Sequence, residues 1–152
     1  MAKAGYSVAT GASVSLASGV AKTALDVLAP ASFGLDLQKV RFSFDGVTAS
    51  AVPVLVELIT ISALGTNTSA TPVQIYGRTI AHGCTAGYNV TAGTETAVAV
   101  VESYLITPNG GSVLYDWPLG TSPDTAVSNG FGLRFTAPAS VGVRATMIFE
   151  RC

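Results

Sequence analysis

Residues 131–150 read FGLRFTAPASVGVRATMIFE, and the alternation inside this stretch sets the fold class. Phe131, Leu133 and Phe135 alternate with Gly132, Arg134 and Thr136. After Ala137-Pro138-Ala139-Ser140, the residues Val141, Val143, Ala145, Met147 and Phe149 alternate with Gly142, Arg144, Thr146, Ile148 and Glu150. Successive side chains of a strand point to opposite faces, so each segment is a strand with one face toward a core. The short connection reads as the turn of a hairpin. If its apolar faces coincide, Phe135 pairs with Val141 or Val143, and Arg134 and Arg144 project from one outer face. Two solvated arginines are one reading of that pair, and a basic patch for an acidic protein surface is the other.

The same pattern extends outward. In residues 33–45 the apolar positions Phe33, Leu35 and Leu37 give way to Val40, Phe42 and Phe44. This change of parity predicts a bulge near Gln38 and Lys39. Residues 52–62 are apolar on both parities, as in a strand covered on both faces. Pro53 lacks an N–H for the ladder and belongs at the start of that strand. Residues 72–80, 97–107 and 112–117 are further strand candidates, and residues 6–10 and 13–17 are weaker ones. Residues 20–28 fit either a strand or a short helix, because Val20, Ala24, Leu25 and Leu28 also share a helical face. Pro108-Asn109-Gly110-Gly111 reads as a hairpin turn, residues 65–69 as a polar loop and residues 118–128 as a longer one. No repeat or linker divides the chain. The expectation is a single all-β domain over residues 1–152, an antiparallel β-sandwich or barrel that is jelly-roll-like. Within it, residues 1–24 form an extended arm or edge strands.

Composition narrows the function. Eight basic residues oppose nine acidic ones among 152, for a net charge of −1, which speaks against a polybasic nucleic-acid binder. Charged residues are only 11%, against a usual value of about 25%. Ala, Val, Thr and Ser supply 71 residues, and mean hydropathy is +0.50. A value this high points to a membrane segment or to surfaces covered by partners. The most apolar run, AVPVLVELITISAL from residue 51 to 64, carries Pro53 and Glu57 and is shorter than the ~20 residues a spanning helix needs. The N-terminal residues lack the apolar core of a signal peptide, so synthesis in the cytoplasm is expected. Cys84 and Cys152 do not make a disulfide framework.

Catalytic constellations are sparse. His82 is the only histidine. On a strand, its i,i+2 spacing to Cys84 would put both side chains on one face, where a thiolate could be activated. No family motif surrounds them, and the flanking glycines suggest a loop. Glu57 and Glu102 lie in strand candidates and could line a sugar groove, but aromatic residues for such a cleft are few. Asp116 and Asp124 lack a calcium-loop pattern, and one His with two distant Cys cannot close a zinc site. Asn67-Thr68-Ser69 and Asn89-Val90-Thr91 match glycosylation sequons, which mean little without a secretory signal. The reading is a non-enzyme with no catalytic residue, metal or cofactor. Tyr115 and Trp117 share a parity; they either complete the core or anchor a subunit interface.

Several segments together resemble the small proteins encoded beside the major capsid protein of tailed bacteriophages, the capsid decoration or cement proteins. They are Phe44-Asp45-Gly46-Val47-Thr48-Ala49-Ser50, Val52-Pro53-Val54-Leu55-Val56-Glu57-Leu58, Thr107-Pro108-Asn109-Gly110-Gly111, Tyr115-Asp116-Trp117-Pro118-Leu119-Gly120 and the ending Arg144-Ala145-Thr146-Met147-Ile148-Phe149-Glu150-Arg151-Cys152. The resemblance implies a β-rich virion protein on the outside of an icosahedral shell. It would clamp neighbouring subunits of the major capsid protein, as a homo-oligomer with a trimer favoured, without nucleic acid or membrane contact. Interface candidates are Tyr115, Trp117, Arg134 and Arg144. The alternative is a phage tail, fibre or receptor-binding domain.

Overall fold

A computed structural model describes residues 4–46, 52–109 and 112–152. They form two antiparallel sheets packed face to face, a β-sandwich, with no helix among the described residues. The strands are β1 (Gly5–Ala9), β2 (Val14–Leu16), β3 (Ala21–Leu28), β4 (Leu35–Phe44), β5 (Val54–Ala63), β6 (Thr68–Ala70), β7 (Val73–Tyr76), β8 (Thr85–Tyr88), β9 (Thr96–Ile106), β10 (Ser112–Asp116), β11 (Gly130–Thr136) and β12 (Val141–Arg151). The first sheet runs β10-β4-β12-β1-β7, with β2 also on β12. The second runs β6-β8-β3-β11-β5-β9. Residues 20–28, which fit strand or helix, are therefore strand.

The alternation in β11 and β12 holds. Phe131, Leu133, Phe135, Val143, Met147 and Phe149 are all fully buried. The bulge in β4 also stands where the parity change put it. Ile148 lies opposite Lys39 and Phe149 opposite Leu37, so Gln38 has no opposite number. That extra residue lets Leu35 and Leu37 face the core together with Val40, Phe42 and Phe44. In β5, Val54, Val56 and Leu58 face inward, while Ile59 lies opposite Gly132 on the outer face and is buried as well. A side chain on Gly132 would meet Ile59 at 3.1 Å, so the absence of one there lets Ile59 lie flat.

Pairing departs from expectation. Among the described residues, no two strands consecutive in the chain are hydrogen-bonded to each other. Residues 131–150 are not a hairpin: β11 lies in the second sheet and β12 in the first, and residues 137–140 carry the chain across the core. The two apolar faces do coincide, but by meeting across the interior instead of side by side. Arg134 and Arg144 consequently lie in different sheets. The connection after Pro108 is likewise not a hairpin turn, because β9 pairs with β5 and β10 with β4; Gly110 and Gly111 lie outside the described residues.

Of the segment 1–24, residues 1–3 lie outside the described residues, and the described part from residue 4 onward lies within the two sheets. β1 is flanked by β12 and β7, with Tyr6 and Val8 buried, and β3 is flanked by β11 and β8. Only the short β2 pairs on one side.

Aromatic rings join the layers. Phe135 of the second sheet meets Phe42 and Phe44 of the first edge-on, with centroids 5.4 and 5.8 Å away. Phe135→Ala removes both contacts and leaves a cavity, so it is expected to cost roughly 3–5 kcal/mol. Urea unfolding monitored by Trp117 fluorescence checks this; a loss below about 1 kcal/mol would show that the ring cluster does not hold the sheets together.

Candidate functional site: the β9–β10 flank

Each sheet ends in an edge strand on the same side of the sandwich, β10 in the first and β9 in the second. The two edges face each other through side chains. Tyr104 of β9 stacks on Tyr115 of β10 at 6.3 Å, and Tyr115 meets Trp117 edge-on at 4.7 Å. Phe42 stacks on Tyr104 from the core side. Trp117 is 8% exposed and completes the core, whereas Tyr115 is 38% exposed. The shared parity of the two thus resolves into one core residue and one surface residue of a single cluster. The Trp117 indole Nε1–H donates to Glu102 Oε1 at 3.0 Å. Burial, then the charge of Glu102, then Tyr115, pushes the Tyr104 hydroxyl up to about 12, so it stays protonated.

Glu102, Ser103, Tyr104, Ile106, Val113 and Tyr115 line a shallow groove of 530 Å³ between the edges. Elsewhere along the two edge strands the surface is apolar as well: Val98 and Leu105 are 63% and 62% exposed, and Val100, Val101 and Leu114 are exposed too. Natural edge strands are commonly protected by Lys, Pro or a covering segment. β9 runs eleven residues with Glu102 as its only charge, and it contains neither Lys nor Pro. Its pairing with β5 carries three register irregularities, which do not cover its free edge.

The other sequence candidates are dispersed. Arg134 Nε–H donates to Glu57 Oε2 at 2.8 Å on the outer face of the second sheet, so its charge is balanced there. Arg144 lies on the outer face of the first sheet, opposite Ser43, and its diagonal basic neighbour is Arg41, which lies opposite Thr146. Two exposed arginines do share a face, but the second is Arg41, not Arg134. Glu57 and Glu102 lie on adjacent strands, opposite Ser103 and Leu58 respectively. They point to opposite faces of the sheet, so they cannot flank one glycosidic bond. His82 and Cys84 do approach, with Nδ1 to Sγ at 3.8 Å, but Nδ1 also lies 3.0 Å from the Cys84 carbonyl oxygen. A ring N–H donated to that carbonyl leaves no lone pair on Nδ1 for the thiol. Burial pushes the Cys84 thiol up to about 11, partly offset by a backbone hydrogen bond and by Arg151, which is the wrong direction for a nucleophile. Asp116 pairs with Lys39 at 2.9 Å, and no group of three or more His, Cys, Asp or Glu able to hold a metal occurs among the described residues.

Asp26 was not apparent as a site from the sequence, where its one signal is a carboxylate inside the apolar run ALDVL. It is fully buried in β3. Its oxygens accept the Gly65 N–H at 3.4 Å and an Asn67 Nδ2–H at 3.0 Å, which ties down the polar loop before β6. Glu95 adds a second carboxylate. Its Oε1 accepts the Thr23 hydroxyl at 2.8 Å, and its Oε2 is buried without a hydrogen-bond partner among the described residues.

No protein-family model matches this chain, and no curated protein or solved structure is similar enough to count as a match.

Burial, with the charge of Glu95 adding to it, raises the Asp26 carboxyl from 3.8 to about 6 against the pull of its hydrogen bonds. The folded state therefore holds this proton more tightly than the unfolded chain. The resulting stability is fully present below pH 3.8 and is lost as pH rises through 6, on the order of 3 kcal/mol in all. Urea midpoints measured from pH 4 to 7 should fall for the wild type relative to Asp26→Asn, which keeps an acceptor for Gly65 and cannot ionise. Parallel profiles would show that Asp26 does not titrate in this window.

Proposed function

We propose that the protein is a structural virion component that binds the outside of an icosahedral phage capsid. It would act without catalysis or cofactor, as a homo-oligomer with a trimer favoured, clamping neighbouring subunits of the major capsid protein. The observation that carries this reading is the β9–β10 flank. A long, nearly uncharged edge strand exposes Val98, Val100, Val101 and Leu105 beside an aromatic groove. Exposed apolar patches of this kind mark association surfaces, and aromatic residues are favoured at the centres of such surfaces. The segments resembling capsid decoration proteins supply the partner, and Tyr115 and Trp117 fall within this flank. The scattered candidate nucleophiles and carboxylates add no support for a hydrolase. Stabilisation of the shell would follow from linkage: a ligand that binds only the expanded lattice shifts the equilibrium toward it. Arg41 and Arg144 are exposed diagonal neighbours on the outer face of the first sheet, two cations that could help orient the protein on an acidic surface.

A second reading, a tail, fibre or receptor-binding domain, has one observation in its favour. Leu119 is fully exposed in the 118–128 loop, beside the aromatic cluster. An apolar loop tip is a common contact for a receptor.

Co-sedimentation with empty, expanded phage heads separates the two. The capsid reading expects saturable binding at a fixed ratio to capsid subunits. It also expects Val98→Lys with Leu105→Lys to lower the affinity at least tenfold, while unfolding stability changes by about 0.5 kcal/mol or less at each exposed site. Absence of binding, or full binding by the double variant, contradicts it.

A further inference from the structure

The two flanks of the sandwich differ in charge, and each carries what the other lacks. Opposite the β9–β10 flank, the first sheet ends in β7, whose Val73, Ile75 and Tyr76 are exposed, as is Ile80 just beyond. Between them the chain turns at Gly77, with φ 92°, and presents the exposed Arg78. This turn is braced from within. The Gln74 amide donates to the carbonyls of Tyr76 at 3.2 Å and of Arg78, and its Oε1 accepts the Ile80 N–H at 3.3 Å. The Tyr6 hydroxyl, from the interior strand β1, donates to the Ile80 carbonyl at 2.7 Å. Arg78 thus stands on a fixed support within an apolar surround, so little backbone freedom would be lost on binding.

We propose that the β7 flank of one copy docks on the β9–β10 flank of a second copy, with the Arg78 guanidinium lying in the groove that Tyr104, Tyr115 and Glu102 line, against the exposed side of the stacked tyrosine pair and within reach of the carboxylate. A guanidinium stacks on tyrosine faces and pairs with a carboxylate, so this groove offers both of its preferred partners. The apolar residues around each element would cover one another. A two-fold contact of the β9–β10 flank with itself would bring two Glu102 grooves together and leave Arg78 unused. Because the two surfaces differ, the contact is heterologous and repeats head to tail, giving a ring if the rotation between copies closes and an open chain if it does not. The inference rests on the self-association within the reading above and names the surfaces that would perform it.

Sedimentation velocity of the full chain tests it, using the wild type, Arg78→Ala and Glu102→Gln, alone and mixed. Arg78 is exposed, and Gln at position 102 keeps an acceptor for the Trp117 indole, so both variants should remain folded. The wild type is expected to assemble, and each variant alone to self-associate roughly tenfold or more weakly. An equimolar mixture should yield one-to-one pairs and nothing larger. Only one interface stays intact there, from Arg78 of the Glu102→Gln copy to Glu102 of the Arg78→Ala copy. Wild-type mass retained by either variant, or a mixture without pairs, would overturn the docking. A wild type that binds heads as a monomer would overturn it, together with the homo-oligomer expected above, while leaving capsid binding itself standing. A salt-sensitive wild-type assembly that loses its mass in both variants supports it even if heads are not bound.

Discussion

The contact of Phe135 with Phe42 and Phe44 across the interior is the interaction on which the rest of the molecule depends. Among the described residues no strand pairs with its neighbour in the chain, so these ladders do not assemble from local hairpins. Each ladder joins segments far apart in sequence, as Gly5 with Glu150 or Val54 with Ile106. Only when the two apolar faces stack do the crossings between sheets become favourable, because loop-closure entropy must be met before any distant pairing rewards it. The same arrangement puts β9 and β10 at one flank, in different sheets, where Tyr104 and Tyr115 continue the aromatic stack out to solvent.

Much of the fold was legible because alternation is a local property. β11 and β12 could be read residue by residue, and the parity change at Gln38 located a bulge before any partner strand was known. Pairing was not legible. An alternating segment shows which of its faces is buried, but the same face is buried whether the next strand lies beside it or across the core. Residues 131–150 illustrate this: the inward residues are as expected, yet Arg134 and Arg144 are separated by the whole sandwich. β8 was missed because Thr85–Tyr88 has little apolar character of its own; its Ala86 and Gly87 are buried by β3 and the Asn67 side chain.

The site was legible only in part. Tyr115 and Trp117 drew attention by residue type, and both belong to the flank cluster. Tyr104 and Glu102 join them through tertiary packing, which no spacing rule reveals. Ionisable groups depended on long-range partners in the same way. Glu57 neutralises Arg134 from 77 residues away, and Asp26 is held by a loop about 40 residues downstream. Low charge and high hydropathy suggested covered surfaces, and their physical counterpart is a pair of apolar flanks, one acidic and aromatic, the other carrying a braced arginine.

Hydrogen–deuterium exchange of the protein free in dilute solution and bound to expanded heads tests most directly whether the flanks are the working surface. Slowed exchange concentrated in residues 73–80, 96–106 and 112–116, with the interior strands β11 and β12 unchanged, is the predicted result. Unchanged exchange along β9 and β10, with new protection confined to residues 118–128, would contradict it and place the contact on the loop that carries Leu119.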